Sequence, residues 1–336
     1  MKRILALILA IATLAAIPAA AQKSYKLADR VKLGGEGGWD YLTYDSDANR
    51  LFITRGTHVM VVDAKTFKAT ADIPDLSGVH GVALAPALGR GFITSGGDNM
   101  LAIFDLKTLK VLDKVKVGDR PDAILYDAAA KRVYTFNAKS QDSTVVDAAT
   151  GKVVGTVSLG GKPETAVTDG KGNVYVNIED RSEIVRIDTA KLTVAEHYPM
   201  AGCDDPSALA FDVAHRRLFA GCASKIMAIV DPVAGKLVTT VDIGGGVDAG
   251  AFNPKTQQIF MSCGEGVLTV IHEDSPNKYS LVQSVPTVKG ARTMALDTAS
   301  NTIYSVTAQY DPTPPAPGQR RAVLPDTFEL LVVKPQ

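Results

Sequence analysis

A phrase of about 42 residues returns seven times along this chain, and a period of that length leaves few architectures open. Each phrase opens with an apolar strand ending near an Asp. A polar hairpin follows, then a second strand built on an aromatic residue, a Gly- or Asn-containing loop, a third strand ending in a Val-Asp-like pair, and a fourth strand ending near Gly. The second-strand aromatics are Phe52, Phe92, Tyr134, Tyr175, Phe219, Phe260 and Tyr304, spaced 40, 42, 41, 44, 41 and 44 residues apart. The third-strand markers are Asp63, Asp105, Asp147, Asp188 and Asp231, with His272 in that place in the sixth unit. The 3.6-residue apolar rhythm of a helical solenoid is absent. Four short strands per unit predict an all-β fold, a seven-bladed β-propeller.

The N-terminus reads as a secretory signal over residues 1–21: Lys2 and Arg3, an apolar stretch from Leu5 to Ile17, and the small-residue run Ala19-Ala20-Ala21. A membrane anchor would need roughly 20 apolar residues, more than this stretch supplies. Export to the periplasm or beyond is expected, with no membrane span after cleavage. Residues 22–336 then form one domain, because the repeats run on without a linker. Without Lys2 and Arg3 the chain carries 34 basic and 36 acidic residues, a balance that speaks against nucleic acid as the main partner. A monomer is expected.

Closure of the ring needs one strand from elsewhere. Tyr25–Leu33 reads as a fourth strand with no strands before it. The last unit offers strands near Thr293–Asp297, Thr302–Val306 and Phe328–Val333 and then stops. The N-terminal strand is therefore expected to complete the seventh blade, leaving no free edge at the join.

Fragments such as Val61-Val62-Asp63-Ala64-Lys65-Thr66 and Val145-Val146-Asp147-Ala148-Ala149-Thr150-Gly151 resemble the YVTN-type repeats of the YncE-like family of bacterial seven-bladed propellers. The resemblance runs from about residue 25 to the end. Cys203-Asp204-Asp205-Pro206, Gly264-Glu265-Gly266 and Gly290-Ala291-Arg292-Thr293-Met294 are similar to one secreted branch of that family. It implies the fold and export; some relatives are labelled lactonases. Propellers host binding proteins, scaffolds and enzymes alike, so the fold alone does not choose among them.

Candidate site residues follow from the repeat. Stepping back five positions from the Asp-like end of each first strand gives Asp40, His80, Asp122, Glu164, Ser207, Asp248 and Arg292. First strands lie nearest the axis, so these seven polar side chains are expected to converge on one mouth of the central channel. Several carboxylates with an imidazole suit a divalent cation, with Asp40, His58, His80, Asp122, Glu164 and Asp248 as candidate ligands. They also suit a cationic or hydroxyl-rich ligand, or simply line a wet channel. His58 and His80, in adjacent blades, form with Asp40 a candidate set of two His and one carboxylate. Glu265 joins the same face through the second set of loops. Trp39 either stacks on a ligand at the rim or plugs the channel or packs between blades one and two. His197, His215 and His272 read as structural or exposed. The long Pro-rich segment Gln309–Thr327 is a lid, a docking element or a loop with no role.

Three cysteines in an exported chain predict pairing. A hairpin centred near Ala214 sets Pro206 opposite Cys222, which brings Cys203 within reach of Cys222 and leaves Cys263 over, as a spare or a reactive thiol. There is no Ser/His/Asp nucleophile motif, phosphate-cradling loop, CxxC pair or haem-attachment motif.

Three functions are compatible with this. The first is a non-enzymatic binding protein offering Trp39, Asp40, His80, Asp122, Glu164, Ser207, Asp248, Glu265 and Arg292 to a small ligand, a metal ion or a partner. The second is a metal-assisted, lactonase-like hydrolase or a lyase, with His80 and Asp122 catalytic and Arg292 neutralising developing negative charge. The third is a scaffold for an envelope protein.

Overall fold

The turn after each third strand shows how the repeat is written. Asp63 Oδ1 accepts the N–H groups of Lys65 and Thr66 at 3.0 and 2.7 Å and the Thr66 hydroxyl at 2.9 Å. Asp105 with Thr108 and Asp147 with Thr150 repeat all three bonds. Such Asx turns fold the chain back without help from distant residues. Four positions after each Asp the backbone is left-handed: Phe67, Leu109, Gly151, Leu192 and Gly235. Glycine adopts that conformation freely, whereas a side chain there is strained.

A computed structural model describes residues 24–313 and 322–336. Within them, seven four-stranded antiparallel sheets form a ring of blades. The innermost strands are Leu42–Asp45, Val79–Ala85, Pro121–Asp127, Pro163–Thr168, Pro206–Asp212, Val247–Asn253 and Met294–Asp297, and each touches the next around the axis. The seventh blade takes Tyr25–Lys32 as its outer strand, beside Glu329–Pro335. The register runs from Tyr25 opposite Pro335 to Lys32 opposite Glu329. The expected closure is therefore present, with the third strand of that blade shifted slightly from Phe328–Val333. The stretch read as a signal lies outside the described residues. None of the described helices is long and apolar enough to cross a membrane.

Apolar burial occurs between blades rather than within them. All seven second-strand aromatics are buried. Phe52 of blade 1 lies 5.5 Å, centroid to centroid, from Phe104 of blade 2, within a cluster drawn from both blades. Each blade thus depends on its neighbours. On the face opposite the candidate site, arginines strap successive blades together. Arg50, Arg90 and Arg132 each donate to a carbonyl of the next blade, on Leu106, Ala148 and Thr189, at 2.7, 3.2 and 2.5 Å. In blade 5, Arg217 Nε donates to the Pro276 carbonyl of blade 6 at 2.7 Å.

Cys203 and Cys222 form a disulfide with a Cα–Cα distance of 5.2 Å, and Pro206 stands opposite Cys222 as expected. Cys263 is free and buried, and burial pushes its thiol up to about 11. That environment argues against the reactive-thiol alternative.

Candidate functional site at the channel mouth

The ring residues are aimed inward by local backbone irregularity. The ladder between first and second strands slips between Val79 and Val82, Pro121 and Ile124, Pro163 and Ala166, Pro206 and Ala208, and Val247 and Ala249. These intervals contain His80, Asp122, Glu164, Ser207 and Asp248. A bulge bends the strand and re-aims its side chains.

Five ring residues make one string of alternating charge. His80 Nδ1 lies 2.6 Å from Asp40 Oδ2 and 3.0 Å from Asp122 Oδ1. The other oxygen of Asp40 is 3.3 Å from Arg292 Nη2, and Arg292 Nε donates to Asp248 Oδ2 at 2.5 Å. The order Asp122, His80, Asp40, Arg292, Asp248 spans blades 3, 2, 1, 7 and 6. Glu164 starts a second group: Lys162 Nζ lies 3.0 Å from it and also contacts Glu179. Ser207 is committed elsewhere, donating its hydroxyl to the Val247 carbonyl at 2.7 Å.

Electrostatics follow from this packing. Burial opposes charge on His80, but hydrogen bonds to Asp122 and Asp40 outweigh it and push the imidazole up to about 10. Asp122 is held below the usual carboxylate range: burial works against it, and the His80 contact prevails. Burial and the neighbouring Asp122 charge raise Glu164 to about 8. Burial raises Asp248 to about 6; Arg292 opposes this and Asp40 adds to it.

Two adjoining hollows open beside the string. One, of about 500 Å³, is bounded by Asp40 and His80 on one side and by Asn99, Asp119, Arg120 and Lys139 on the other. Between them the wall is backbone, at Gly38, Gly56, Gly78, Gly96 and Gly97. Gly96 has a specific reason to lack a side chain, since a Cβ there would stand 3.0 Å from the His80 ring and 3.1 Å from the Pro121 carbonyl. The other hollow, of about 700 Å³, runs past Arg292 to Tyr310 and Val323. Trp39 belongs to both walls. It is 8% exposed and packs 5.6 Å from Tyr310 and 5.8 Å from Phe328. The packing alternative thus holds, though at the seam of blades 7 and 1. The channel-spanning aromatic is Tyr41 instead, whose hydroxyl donates to the Asp248 carbonyl at 3.0 Å.

Two expected neighbours stand apart from the string. His58 Nε2 lies 3.7 Å from Asp72, within blade 1, because its loop sits outward of the first strands. The set of His58, His80 and Asp40 does not assemble; His80 groups instead with Asp40 and Asp122, all ligand atoms lying within 4.8 Å of one another. Glu265 is exposed and pairs with Lys225 at 3.2 Å. Residues 314–321 of the Pro-rich segment lie outside the described residues, while Tyr310 and Val323 at its ends form a bridge beside Trp39. Sequence reasoning missed Lys162, Arg120 and Tyr41. A signal existed for two of them: a basic residue stands two places before the ring acid in both Gly118-Asp119-Arg120-Pro121-Asp122 and Gly160-Gly161-Lys162-Pro163-Glu164.

A family model described as a domain of unknown function, DUF5074, matches residues 47–223, more than half of the 336-residue chain. The chain belongs to the DUF5074 family. The match runs from the first hairpin of blade 1 to the disulfide of blade 5. No curated protein matches the chain. Among solved structures, a chain of the "Crystal Structure of Mitotic Checkpoint Complex" is similar at 14% identity and a TM-score of 0.74, over 90% of this chain and 95% of that one. A chain of Kuenenia stuttgartiensis hydrazine synthase is similar at 16% identity and 0.72, over 87% and 96%. "Structure of U3-55K" is similar at 10% and 0.76, over 93% and 100%. At these identities the likeness is one of fold. A propeller of this kind fits a binding or scaffold role in this DUF5074 member.

Proposed function

We propose that this protein is an exported, non-enzymatic binding protein whose channel-mouth cleft takes a small hydrophilic ligand bearing several hydroxyls or charges of both signs. Residues 1–21 act as its signal and residues 22–336 as one domain in this reading. The disulfide supports export, since such bonds persist in oxidising compartments.

The string from Asp122 to Asp248 carries the proposal. Along the string three carboxylates face one imidazolium and one guanidinium, and Asp40 and His80 carry it into the cleft wall, where Asp119, Arg120 and Lys139 stand opposite, so the cleft offers charges of both signs. Each group is held by its neighbour, so little ordering remains to be done on binding. The cleft of about 500 Å³ has metabolite dimensions. His80, shared between two carboxylates and protonated at neutral pH, is a poor general base, which favours binding over proton-transfer catalysis.

A second reading, a metal-assisted hydrolase, draws support from the mutual approach of Asp40, His80 and Asp122. A divalent ion there has to displace the proton on His80 Nδ1. Elemental analysis of protein purified without an affinity metal column, with melts before and after chelator, separates the two. Stoichiometric metal at this triad and a chelator-sensitive melt favour the hydrolase. For the binding reading, zwitterions and sugars are screened by thermal shift. A ligand that stabilises the wild type but not Asp40→Asn is expected; equal shifts in both proteins would place binding elsewhere.

A further inference from the structure

The opposite face of the ring holds a second group of ionisable side chains, at the seam between blades 5 and 6. Asp212 ends the first strand of blade 5 and His215 sits in the hairpin that follows; Glu273 comes from Val267–Ser275 of blade 6. His215 Nδ1 lies 2.6 Å from Asp212 Oδ2 and 3.7 Å from Glu273 Oε1. We propose that Asp212, His215 and Glu273 form a binding site for a borderline divalent cation of the Zn²⁺ type, clamping blade 5 to blade 6.

The second observation behind this is unmet hydrogen-bonding capacity. Asp212 is 1% exposed and Glu273 is 3% exposed. Both carboxylate oxygens of Glu273 are buried without a hydrogen-bond partner, and Asp212 Oδ2 is buried with the His215 nitrogen beside it. Buried carboxylates without donors are costly, and they are ordinarily paired or bound to a metal. The equivalent carboxylate in blade 1, Asp45, receives Arg50 Nε at 2.9 Å. In blade 5 the equivalent Arg217 is diverted: Nε donates to the Pro276 carbonyl at 2.7 Å, and Nη1 lies 3.0 Å from Asp231. Tyr279, the other polar neighbour, donates its hydroxyl to Pro276 at 3.0 Å. Asp127 of blade 3 also keeps one unpartnered oxygen, but among the described residues only the seam of blades 5 and 6 adds an imidazole and a second carboxylate on this face.

The three ligand atoms lie within 4.8 Å of one another. Groups about 2 Å from a shared metal stand roughly 3–4 Å apart, so His215 Nδ1, 2.6 Å from Asp212 Oδ2, has to draw back slightly to admit the ion. One nitrogen and carboxylate oxygens suit a borderline cation better than Ca²⁺, which prefers oxygen alone. The His215 side chain is 41% exposed, leaving a solvent side for water ligands.

The test is calorimetric titration of Zn²⁺ into the chelator-stripped, tag-free full chain, beside His215→Ala, Glu273→Gln and His80→Ala. The expected result is a Zn²⁺ site that His215→Ala and Glu273→Gln each weaken at least tenfold and His80→Ala spares, with an unfolding midpoint that Zn²⁺ raises in the wild type and not in His215→Ala. His215 is in an exposed hairpin and Glu273→Gln removes a buried charge, so both variants should fold; circular dichroism checks this. The proposal is overturned if Zn²⁺ fails to bind the wild type below about 1 mM and leaves its midpoint unmoved, or if all Zn²⁺ binding survives in both variants. Loss of all binding in His80→Ala alone would also overturn it, by placing the ion at the channel mouth. None of these outcomes bears on whether the channel-mouth cleft takes an organic ligand.

Discussion

Arg292 on the last blade and Asp40 on the first are joined by an ion pair of 3.3 Å, although 252 residues separate them in the chain. The contact crosses the seam where the ring closes, and the same guanidinium holds Asp248 of blade 6 at 2.5 Å. Thr293 adds a bond to the Asp40 carbonyl at 2.6 Å. The channel-mouth string is therefore also part of the closure.

That double role makes a double-mutant cycle informative. Asp40→Asn, Arg292→Gln and the double variant should show a coupling of about 1 kcal/mol in urea unfolding, since both groups are largely buried and share partners. Additive losses would mean that the pair contributes nothing across the seam.

The pH dependence of stability should be unusual. Three channel-mouth groups hold their protons more tightly when folded: Asp248 rises from 3.8 to about 6, Glu164 from 4.5 to about 8, and His80 from 6.5 to about 10. A raised folded-state value gives stability that is full below the unfolded value and lost as pH rises through the folded one. Asp122, held low, acts in the other direction and only at acid pH. The melting temperature should therefore peak near pH 4 and fall steadily to pH 10, each tenfold gain in proton affinity on folding being worth about 1.4 kcal/mol. His80→Gln should flatten the limb above pH 7. A wild-type melt that is constant or rising between pH 5 and 8 would contradict this account of the string.

Legibility in the sequence followed distance along the chain. The period, the second-strand aromatics and the Asp turns were readable because each is set within one repeat. The ring residues were readable because they recur at one position of that repeat. Contacts across a seam were not: Asp212 meets Glu273, and Arg217 meets Pro276, only once neighbouring blades are docked in register. His215, read as structural or exposed, accordingly acquired two carboxylate neighbours that no spacing announced. His58 went the other way: a histidine of the right loop was held outward by Asp72.

Arg55 is a second residue that no pattern marked. Its side chain is 1% exposed, lies 3.7 Å over the Phe328 ring, and donates to the carbonyls of Gly34, Gly35, Glu36, Gly37 and Gly38 at 2.8–3.3 Å. Those carbonyls belong to the link between the closing strand and Trp39, which contains three glycines with positive φ. Burial lowers the guanidinium to about 10, so it stays charged at neutral pH. Arg55→Met should cost about 2–4 kcal/mol, because charged donors to buried acceptors are lost together. Trp39 emission should shift to the red as its packing loosens. An unchanged spectrum with unchanged stability would mean that the link orders itself without Arg55.

The disulfide should matter to the whole ring rather than to one loop. Cys203 and Cys222 are 19 residues apart and pin the approach to the first strand of blade 5. A loop of that size is worth about 3 kcal/mol through the unfolded chain. Cys203→Ser with Cys222→Ser, or reductant on the wild type, should lower the urea midpoint with the transition still single, because blades unfold with their neighbours. Cys263 should resist thiol reagents until that transition, being buried and raised to about 11. Early labelling of Cys263 would show that blade 6 opens by itself.

Closure by Tyr25–Lys32 sets the last expectation. Tyr25 is buried, donates its hydroxyl to Gln258 at 2.5 Å and accepts from Asn301 Nδ2 at 3.1 Å, so the outer strand of blade 7 is also anchored to blade 6. Its ring meets Phe260 edge-on at 5.5 Å. Tyr25→Ala removes a large buried ring along with its hydrogen bonds and should cost about 3–5 kcal/mol. Tyr25→Phe keeps the ring and should cost about 1 kcal/mol. Removing residues 24–32 exposes the edge of Glu329–Pro335 to pairing with another chain. The truncated protein should therefore associate, and added peptide of sequence 24–32 should return it to the wild-type elution volume on size exclusion. A truncated chain that elutes like the wild type and is as stable would show that the ring does not need this strand.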